Sequence, residues 1–560
     1  MNLNKEQYIA AKHVGGPMLV LAGPGSGKTH LLVERIRMMI EESHIPPESI
    51  LVITFSNKAA RQMRARFTRR VEDNTYPVTF GTFHAVFYHI LKEHDPNINR
   101  LITEEEQITF VKSLLKDSEL FDEFTEPEEV AGLISSYRNL ADDFYARNER
   151  GKMMDISQRE EFERIVAGYD DLCREAHVID FDDMIILCDR LLRKHESVLR
   201  KWRNMYRYFL VDEFQDINEA QYDVLRLLAG DERNVFAVGD DDQSIYAFRG
   251  ARPELMKKFL HQYVGCRQVT LTMNYRCCEN VIGAADTLIR NNIERLQRPM
   301  QRHLPSKAGG IVETIHSENT DIQAAFVCDR IDELINEEGY RPGEIAVLYR
   351  STHCAVMFNK IATQRGFRLR TTEGINIDIR RRKIHDAYVR AKENTASRGD
   401  WFLIMNNPPR GLSREALCHP TGDYIGDFKA YYSGDEAKLE MVRDLERTVR
   451  QYDSNAVISD TTGADDAVNV MTAHASKGLE FSCVFVIGLQ EGLFPHYRNR
   501  DVIGIEEERR LMYVAMTRAK ERLYLCSLGT KHGKRSSRFV DEVAKGRKYI
   551  RDTLNLIRGH

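Results

Sequence analysis

The sequence predicts an α/β protein with two parallel-sheet domains, each interrupted by a helical insertion. Short apolar runs rich in β-branched residues recur along the chain, and a polar turn and a helical pattern follow each of them. Runs of this length that are apolar throughout are typical of strands buried on both faces of a parallel sheet. They form two series, one ending at residue 274 and one beginning at residue 344, which indicates two such domains.

The predicted strands of the first series lie in PMLVLAG, ILVITFS, YFLVDEF, NVFAVGD and QVTLTMN. Those of the second series lie in EIAVLYR, VNVMTAH, CVFVIGL and RLYLCSL. A stretch from about residue 91 to 201 has no such run and carries Glu, Leu, Arg and Tyr at helical spacing, so we expect a helical insertion there. A second insertion is expected between about residues 380 and 460, from the basic run IRRRK to the polar DTTGADD.

Composition restricts the class of protein. The chain has 560 residues, enough for three or four domains, and a net charge of −4, so nucleic-acid binding would need local basic grooves. None of the ten cysteines stands at C-x-x-C spacing, which argues against a zinc or iron–sulfur site and favours reduced thiols. No apolar signal core begins the chain, and no run approaches the ~20 residues of a membrane span. We therefore expect a soluble, cytoplasmic protein without a membrane partner.

A glycine-rich loop follows the first predicted strand and precedes a predicted helix. Strand, loop and helix in this order form the setting of a P-loop NTPase, in which backbone N–H groups and the helix N-terminus cradle phosphates. Lys28 would reach the β- and γ-phosphates of ATP, and the hydroxyl of Thr29 would ligate Mg²⁺. The general pattern has glycine where this chain has alanine at its first position. The predicted nucleotide-binding loop comprises Ala22, Gly23, Pro24, Gly25, Ser26, Gly27, Lys28, Thr29 and His30.

Two acids follow the predicted strand in YFLVDEFQD. Asp212 would hold the Mg²⁺ shell, and Glu213 would orient or deprotonate the attacking water. The alternative is a cluster of acids that caps the next helix. Together with the P-loop, the pair favours nucleotide hydrolysis.

The order of the motifs resembles the UvrD/Rep/PcrA group of superfamily 1 DNA helicases over nearly the whole chain. One such motif would be weak, whereas ten in sequence are specific. The matching segments are LNKEQ, AGPGSGKT, ITFSNKAARQM, GTFHAVFYHIL, VIDFDDMI, VDEFQD, VGDDDQSIYAFRGA, LTMNYR, VMTAHASKGLEF and EEERRLMYVAMTRAK.

The resemblance implies two RecA-like domains in tandem, with ATP and Mg²⁺ in the cleft between them. By this match the first domain, 1A, spans residues 1–90 and 202–275, with the helical insertion 1B at 91–201. The second, 2A, spans 276–380 and 461–560, with a reduced insertion 2B at 381–460. The residues implied at the nucleotide are Gln7 and Tyr275 at the base, Gln243, Arg276 and Arg518 at the γ-phosphate, and Glu480 at the sugar.

The resemblance also implies contacts with single-stranded DNA and with single-strand/duplex junctions, and translocation from 3′ to 5′. Aromatic rings hold a strand without reading its sequence, because every base has a π-face. For Tyr246 the alternative is packing between domains, and for the basic RQMRARFTRR and IRRRK it is a solvated helix face. The implied DNA-binding residues are Phe55, Asn57, Thr82, His84, Phe181, Tyr246, Phe248, Arg249 and His474.

The chain departs from the family pattern at four places. His30 stands where the family usually has arginine beside the adenine, which suggests the hypothesis of weaker ATP affinity. Phe248 replaces the usual tryptophan and should stack less strongly on a base. The second insertion is short, and its Gly-x-Gly turn has become Gly411-Leu412-Ser413, so altered engagement of duplex DNA is a further hypothesis.

The leading interpretation is an ATP-dependent translocase and 3′–5′ DNA helicase acting in repair, replication or recombination. One alternative is a translocase that strips proteins from single strands and unwinds little. Another is an ATP-gated DNA-binding subunit of a repair or phage-defence complex. Degraded motor residues would favour the last alternative, yet Lys28, Glu213 and Arg518 are intact.

Overall fold

The computed structural model divides into two compact units, Met1–Asn319 with Ser476–His560, and Thr320–Ala475. The residues that it describes are 3–71, 76–94, 100–115, 118, 127–140, 144–147, 154–247, 250–296, 302–371, 384–406, 410–417, 420–452, 467–529, 535–546, 549 and 551–557.

Strands occur in both units and are numbered in chain order. Their bounds are β1 Met18–Ala22, β2 Ile50–Thr54, β3 Thr79–Thr82, β4 Arg100–Leu101, β5 Val178–Ile179, β6 Tyr208–Val211, β7 Val235–Gly239, β8 Arg267–Leu271, β9 Met273–Asn274, β10 Arg302–His303, β11 Ile311–Ser317, β12 Ile345–Tyr349, β13 Leu369–Thr371, β14 Val468–Thr472, β15 Phe481–Leu489, β16 Ala519–Leu528 and β17 Arg551–Ile557.

The first unit contains a parallel sheet in the order β3-β2-β6-β7-β1-β8. All five strands predicted in the first series are present, and β1, β2 and β7 are buried at every position, as their continuous apolar runs require. β6, β7 and β1 are neighbours that run in one direction. The segments that follow them therefore meet at one edge of the sheet, which brings the P-loop and the two acids after β6 together.

Four helices of this unit support the site, namely α1 (Lys5–Ala11), α2 (Lys28–Glu41), α3 (Asn57–Val71) and α4 (Phe83–His94). Between α4 and β6 the described regular elements are helices, apart from the short parallel pair β4–β5. The helices between residues 104 and 175 pack a separate core around Phe144, Phe162 and Tyr169, whereas Phe181–Lys194 and Glu196–Met205 pack into the core of the first sheet. The other helices of the unit are Glu104–Leu115, Pro127–Leu140, Phe144–Arg147, Ile156–Glu175, Phe181–Lys194, Glu196–Met205, Glu219–Ala229, Glu254–Gln262, Glu279–Ile289, Val502–Met516 and Arg538–Ala544.

The first unit also contains parallel strands in the order β15-β16-β11-β17. Two strands predicted in the second series, CVFVIGL and RLYLCSL, form β15 and β16. β15 is buried along its whole length, and the helix Val502–Met516 is buried over most of its circumference. The two α/β sheets of the predicted fold class are therefore confirmed, while the proposed domain boundaries stay predictions.

The second unit contains parallel strands in the order β13-β14-β12, with EIAVLYR and VNVMTAH as β12 and β14. Its second insertion is helical where it is described and packs its own core around Trp401, Phe428 and Leu445. The runs IRRRK and DTTGADD lie outside the described residues. The helices of this unit that have defined bounds are Thr320–Asn336, Val356–Gln364, Arg398–Ile404, Tyr424–Tyr431 and Glu436–Gln451.

Among the described residues, no helix combines the length and the apolar character needed to span a bilayer. The nine cysteines within that part of the chain are free thiols, and seven of them are buried.

A buried arginine joins α1 and α2 to the sheet. One nitrogen of the Arg35 guanidinium donates hydrogen bonds to the carbonyl oxygens of Ala10, at 3.4 Å, Ala11, at 3.3 Å, and His13. The guanidinium carbon lies 4.0 Å from the centre of the Phe236 ring on β7. Burial lowers the pKa of Arg35 to about 9, so the side chain stays charged at neutral pH. Because α1 carries Gln7, this arginine helps to position the predicted site.

We expect Arg35→Met to lower the free energy of unfolding by about 2 kcal/mol, because the carbonyls at the end of α1 lose a charged donor in a buried place. Urea denaturation measures the change. Arg66→Met is the control, since Arg66 is exposed on α3 and its loss should change stability by less than about 0.5 kcal/mol. Equal stabilities for the two variants would contradict the structural role of Arg35.

Candidate functional site

The predicted nucleotide-binding loop connects β1 to α2. Gly25 and Gly27 have φ angles of +67° and +83°, a region that favours glycine, and α2 begins directly afterwards at Lys28. No side chain caps the N-terminus of α2. Its first backbone N–H groups are thus suited to bind an anion, as a phosphate-binding loop requires.

Neighbouring segments hold this loop by its carbonyl oxygens. The side-chain amides of Gln7 and Asn274 donate to the carbonyls of Ser26, at 2.9 Å, and Pro24, at 2.8 Å. The backbone N–H of Tyr275 donates to the carbonyl of Gly25 at 2.8 Å. These three hydrogen bonds from outside the loop use its carbonyl oxygens and none of its N–H groups, while within the loop the N–H of Ser26 donates to the carbonyl of Gly23 at 3.3 Å.

The two residues predicted at the adenine lie beside the loop. Gln7 closes a capping box with Asn4 at the start of α1, and the amide of Asn4 donates to the hydroxyl of Tyr275 at 2.7 Å. His30 follows the loop on α2, and its Nε2 is buried without a hydrogen-bond partner among the described residues. A polar atom in this position is available to a nucleobase.

The acids after β6 face the lysine of the loop. The ammonium of Lys28 lies 3.3 Å from the carbonyl oxygen of Ala22 and 3.7 Å from a carboxylate oxygen of Glu213. Glu213 has a φ of +52°, which is rare for a residue with a side chain and occurs most often where function requires it.

The pKa values of Asp212 and Glu213 shift in opposite directions. Burial raises the pKa of Asp212, and the adjacent charge of Glu213 raises it further. Burial also opposes ionisation of Glu213, but Lys28 and then Lys477 outweigh it and lower the pKa of Glu213. A buried carboxyl beside a second acid suits a divalent cation, and Mg²⁺ is bound by oxygen ligands, so the residues predicted for Mg²⁺, Asp212 and Thr29, fit that group chemically.

A chain of hydrogen bonds extends from Glu213 through Gln215 and Asp240 to Gln243. The side chain of Gln215 donates to Glu213 at 2.6 Å and accepts from the backbone N–H of Asp240 at 2.9 Å. Asp240 in turn accepts a hydrogen bond from the side chain of Gln243 at 2.5 Å. Gln243 is buried, so the predicted γ-phosphate sensor is held by the same network as the predicted base.

Lys477 lies at the centre of this network and was not among the residues that the sequence predicted. Its ammonium forms an ion pair with Asp216 and donates to the carbonyl oxygen of Gln243 at 2.9 Å. It also lies 5.0 Å from the centre of the Tyr246 ring. Burial raises the pKa of Asp216 to about 6, against the opposing effect of Lys477. The segment HASKGLEF contains this lysine, so its motif was a signal that could have found it.

The two predicted arginines lie on the same side of the network. A Cβ added to Gly25 would stand 2.6 Å from the Cβ of Arg276, which places Arg276 directly against the loop. Its guanidinium donates to Glu480 at 2.8 Å, and Glu480 also pairs with Lys520 at 3.0 Å. The predicted contact of Glu480 with a sugar stays a prediction.

Arg518 is buried and held by backbone oxygens. Its guanidinium donates to the carbonyls of Val514, at 2.9 Å, and Leu479, at 3.1 Å. Burial, and next the charge of Arg276, lower the pKa of Arg518 to about 9. The roles of both arginines at a phosphate stay predictions.

Several predicted DNA-binding residues come together in pairs of rings. Phe55 and Tyr246 stack with ring centres 4.7 Å apart and an angle of 17° between their planes. Phe181, which is 62% exposed at the start of its helix, packs edge-on against His84 at 5.7 Å. These rings offer flat apolar surfaces to a base, although their binding role stays a prediction.

The remaining predicted DNA-binding residues are placed as follows. Asn57 is the first residue of α3 and is exposed, and the hydroxyl of Thr82 accepts a hydrogen bond from the N–H of Ala85 at 3.1 Å. Phe248 and Arg249 lie outside the described residues, and His474 lies in the second unit, partly buried.

We expect Gly25→Ala to lower the free energy of unfolding by about 1–3 kcal/mol, because the new methyl group overlaps Arg276 and forces the loop to shift. It should also weaken nucleotide binding, which titration with a fluorescent ATP analogue measures. Gly16→Ala is the control. Gly16 has a φ of +80° but nothing within 4 Å of the added Cβ, so that variant reports the backbone strain alone. Equal losses in both variants would contradict the crowding at Gly25.

We expect Lys477→Met to destabilise the protein by about 3 kcal/mol at pH 8, because it leaves the ionised Asp216 buried without a cation. The loss should shrink below pH 6, where Asp216 is protonated and needs no partner. Urea denaturation at pH 5 and pH 8 measures both values.

The control for this variant is Lys257→Met, which breaks an exposed ion pair with Glu294 and should cost less than about 1 kcal/mol at either pH. A loss in Lys477→Met that does not change between the two pH values would show that Asp216 is not the group that responds.

Comparison with known proteins identifies the family. The UvrD/REP helicase N-terminal domain matches residues 3–264, and the UvrD-like helicase C-terminal domain matches residues 269–420 and 427–529. The chain is 30% identical to DNA helicase II of Escherichia coli K12, over 97% of this chain and 87% of that protein.

Other relatives agree. DNA helicase II of Rickettsia typhi is 30% identical, over 93% of this chain and 91% of the relative, and ATP-dependent DNA helicase PcrA of Bacillus subtilis is 28% identical, over 97% and 85%. Loop, acid pair and arginines thus occur in a chain that matches both halves of one family along nearly its whole length. The chain belongs to the UvrD/REP helicase family and is an ATP-dependent DNA helicase of that type.

Proposed function

We propose that the protein hydrolyses ATP with Mg²⁺ to move along single-stranded DNA from 3′ to 5′ and to unwind duplex at single-strand/duplex junctions. The observation that supports this most directly is the position of Lys477. One ammonium group contacts Asp216, the carbonyl of the proposed γ-phosphate sensor Gln243, and the face of Tyr246, a proposed DNA-stacking ring. A displacement of Gln243 by the phosphates of ATP would therefore be transmitted through Lys477 to Tyr246, and so to the bound DNA strand.

The proposed phosphate contacts come from the loop and from the sheet edge. Backbone N–H groups from Gly25 to Thr29 and the ammonium of Lys28 would bind the phosphates, and Thr29 and Asp212 would hold Mg²⁺. When bound, Mg²⁺ neutralises charge that develops on the transferred phosphoryl group. Gln7, His30 and Tyr275 would contact the base.

Glu213 is the proposed base for the attacking water. Lys28 and Lys477 keep it ionised although burial opposes this, and Gln215 holds its orientation. Arg276 and Arg518 would stabilise the charge on the γ-phosphate, as arginines do in other phosphoryl-transfer enzymes. In the proposed domain division, residues 1–90 and 202–275 bind the phosphates, and both arginines belong to the second domain, so closure of the two would be required for hydrolysis.

The proposed strand contacts are non-specific for sequence, because stacking on Phe55, Tyr246 and Phe181 depends only on base faces. Asn57 and Thr82 would contact the backbone, which positions a strand without reading it. The bacterial relatives are named DNA helicases. We also propose a cytoplasmic location for this protein.

The expected result for Glu213→Gln is a fall in DNA-stimulated ATP hydrolysis of at least about 100-fold, with nucleotide binding retained, because the water loses its base. A coupled ATPase assay with and without single-stranded DNA measures the rate. Glu232→Gln is the control, since Glu232 is exposed and its partners within the described part of the chain are Arg207 and the amide of Asn234. Hydrolysis at the wild-type rate in Glu213→Gln would refute the proposed base.

Direction is tested with the same protein on duplexes that carry either a 3′ or a 5′ single-stranded tail. Unwinding of the substrate with the 3′ tail alone supports the proposal, and unwinding of the 5′-tailed substrate alone reverses the polarity. Displacement of streptavidin from a biotinylated single strand without unwinding of either duplex would favour the protein-stripping translocase instead.

A further inference from the structure

A cavity of 380 Å³ lies next to the proposed strand contacts. Three of its lining residues connect it to them: Asn57 is itself a proposed DNA contact, while Gly81 and Ala85 flank Thr82 and His84. The volume lies in the range of small-ligand sites. Its lining residues are Asn57, Ala60, Arg61, Arg64, Phe80, Gly81 and Ala85.

The charge of this cavity is positive. Arg61 and Arg64 line it, and the lining contains no acidic residue. In the part of the chain that the structure describes, neither arginine forms an ion pair. Arg61 donates to the carbonyl of Asn57 at 3.3 Å, and Arg64 lies 5.7 Å from the centre of the Phe80 ring. Both guanidinium groups are therefore available to an anion.

A second cavity makes the contrast clear. It measures 280 Å³ and is also lined by arginines, but Asp223 and Asp231 line it too. On α3 itself, Arg70 is engaged by Glu34. Arg61 and Arg64 line their cavity without a carboxylate partner among the described residues, so both guanidinium groups suit a ligand that carries negative charge.

The backbone adds to this charge. α3 has 15 residues and begins at Asn57, at the wall of the cavity, so the positive end of its dipole points to the same region. The ring of Phe80 supports the guanidinium of Arg64, which limits the freedom that Arg64 loses when it binds a phosphate.

We infer that this cavity is a further nucleotide subsite, in which Arg61 and Arg64 together bind the backbone phosphate of the nucleotide next to the one that we propose Asn57 and Thr82 hold. The inference rests on the proposed function, because it extends the same strand by one position. It assigns a DNA-binding role to the basic side of α3. The alternative is that these arginines form a solvated helix face without a ligand.

The test measures binding of fluorescent oligothymidylates by anisotropy over a range of salt concentrations. We expect Arg61→Ala/Arg64→Ala to weaken binding about tenfold and to reduce the slope of log affinity against log salt by about 0.7, since one further nucleotide adds one phosphate and each phosphate contributes about 0.7 for a single strand. Arg61→Lys/Arg64→Lys keeps both charges and should retain most of the slope.

Arg66→Ala/Arg69→Ala is the matched control. These arginines are exposed on the same helix but do not line the cavity, so binding should change little. A series of oligonucleotides lengthened by one nucleotide at a time adds a second readout. The wild type should gain affinity at one more position than Arg61→Ala/Arg64→Ala does.

Equal affinities and salt slopes for the two alanine pairs would overturn the subsite. If Tyr246→Ala still weakens binding in that experiment, the proposed function stands without the subsite. A wild-type protein that binds no single strand would overturn both.

Discussion

The ion pair between Lys477 and Asp216 is the interaction on which the site depends. Both side chains are removed from water, with 9% of the lysine side chain and none of the aspartate exposed. Removing two charges from water is unfavourable unless their geometry is good and further polar groups satisfy them. The carbonyl of Gln243 and the face of Tyr246 supply these contacts to the lysine. One oxygen of Asp216 also accepts a hydrogen bond from Gln215 at 3.4 Å, and its other oxygen has no hydrogen-bond partner among the described residues. The pair therefore constrains the ends of β6 and β7 and the segment before β15 together, and it brings the predicted catalytic acids and the predicted strand contacts within one polar network.

The sheet makes that arrangement possible. Because β6, β7 and β1 are adjacent and parallel, the acids, the amide chain and the P-loop follow from neighbouring strand ends. The loop is then fixed from outside by Gln7, Asn274 and Tyr275, which bind its carbonyls and do not occupy the N–H groups proposed to bind phosphate. The aspartates 240–242 after β7 are likewise all buried, and Asp242 pairs with Arg295 at 2.6 Å. An acidic run that looks solvated in the sequence is a partnered structural element in the fold.

Local patterns predicted much of this protein, and long-range pairing was beyond them. Nine short runs rich in apolar and β-branched residues correctly predicted strands. Burial on both faces explains that signal in β1, β2 and β7, whereas β8 is exposed at its first two positions. β3, TFGT, and β11, IVETIHS, were not predicted: the first is short and partly exposed, and the second mixes polar with apolar positions. The P-loop and the acid pair were visible because each is a contiguous motif. Lys477 also lies in a contiguous motif, but its pairing with Asp216, 261 positions away, could not be predicted, because no spacing rule reports a buried pair across that separation. The ring stack of Phe55 and Tyr246 also joins residues that are far apart in the sequence, so it could be recognised only in the structure.

That stack also bears on how firmly Phe55 and Tyr246 would hold a strand in the proposed binding role. The two rings already satisfy each other's flat faces at 4.7 Å. A base that slid between them would exchange one aromatic contact for two while forcing the rings apart, so its net gain is smaller than that of a base meeting a bare ring. When no base lies between them, Phe55 and Tyr246 stack on each other. This contact lowers the free-energy cost of releasing a base, which a helicase that moves along a strand must do at every step.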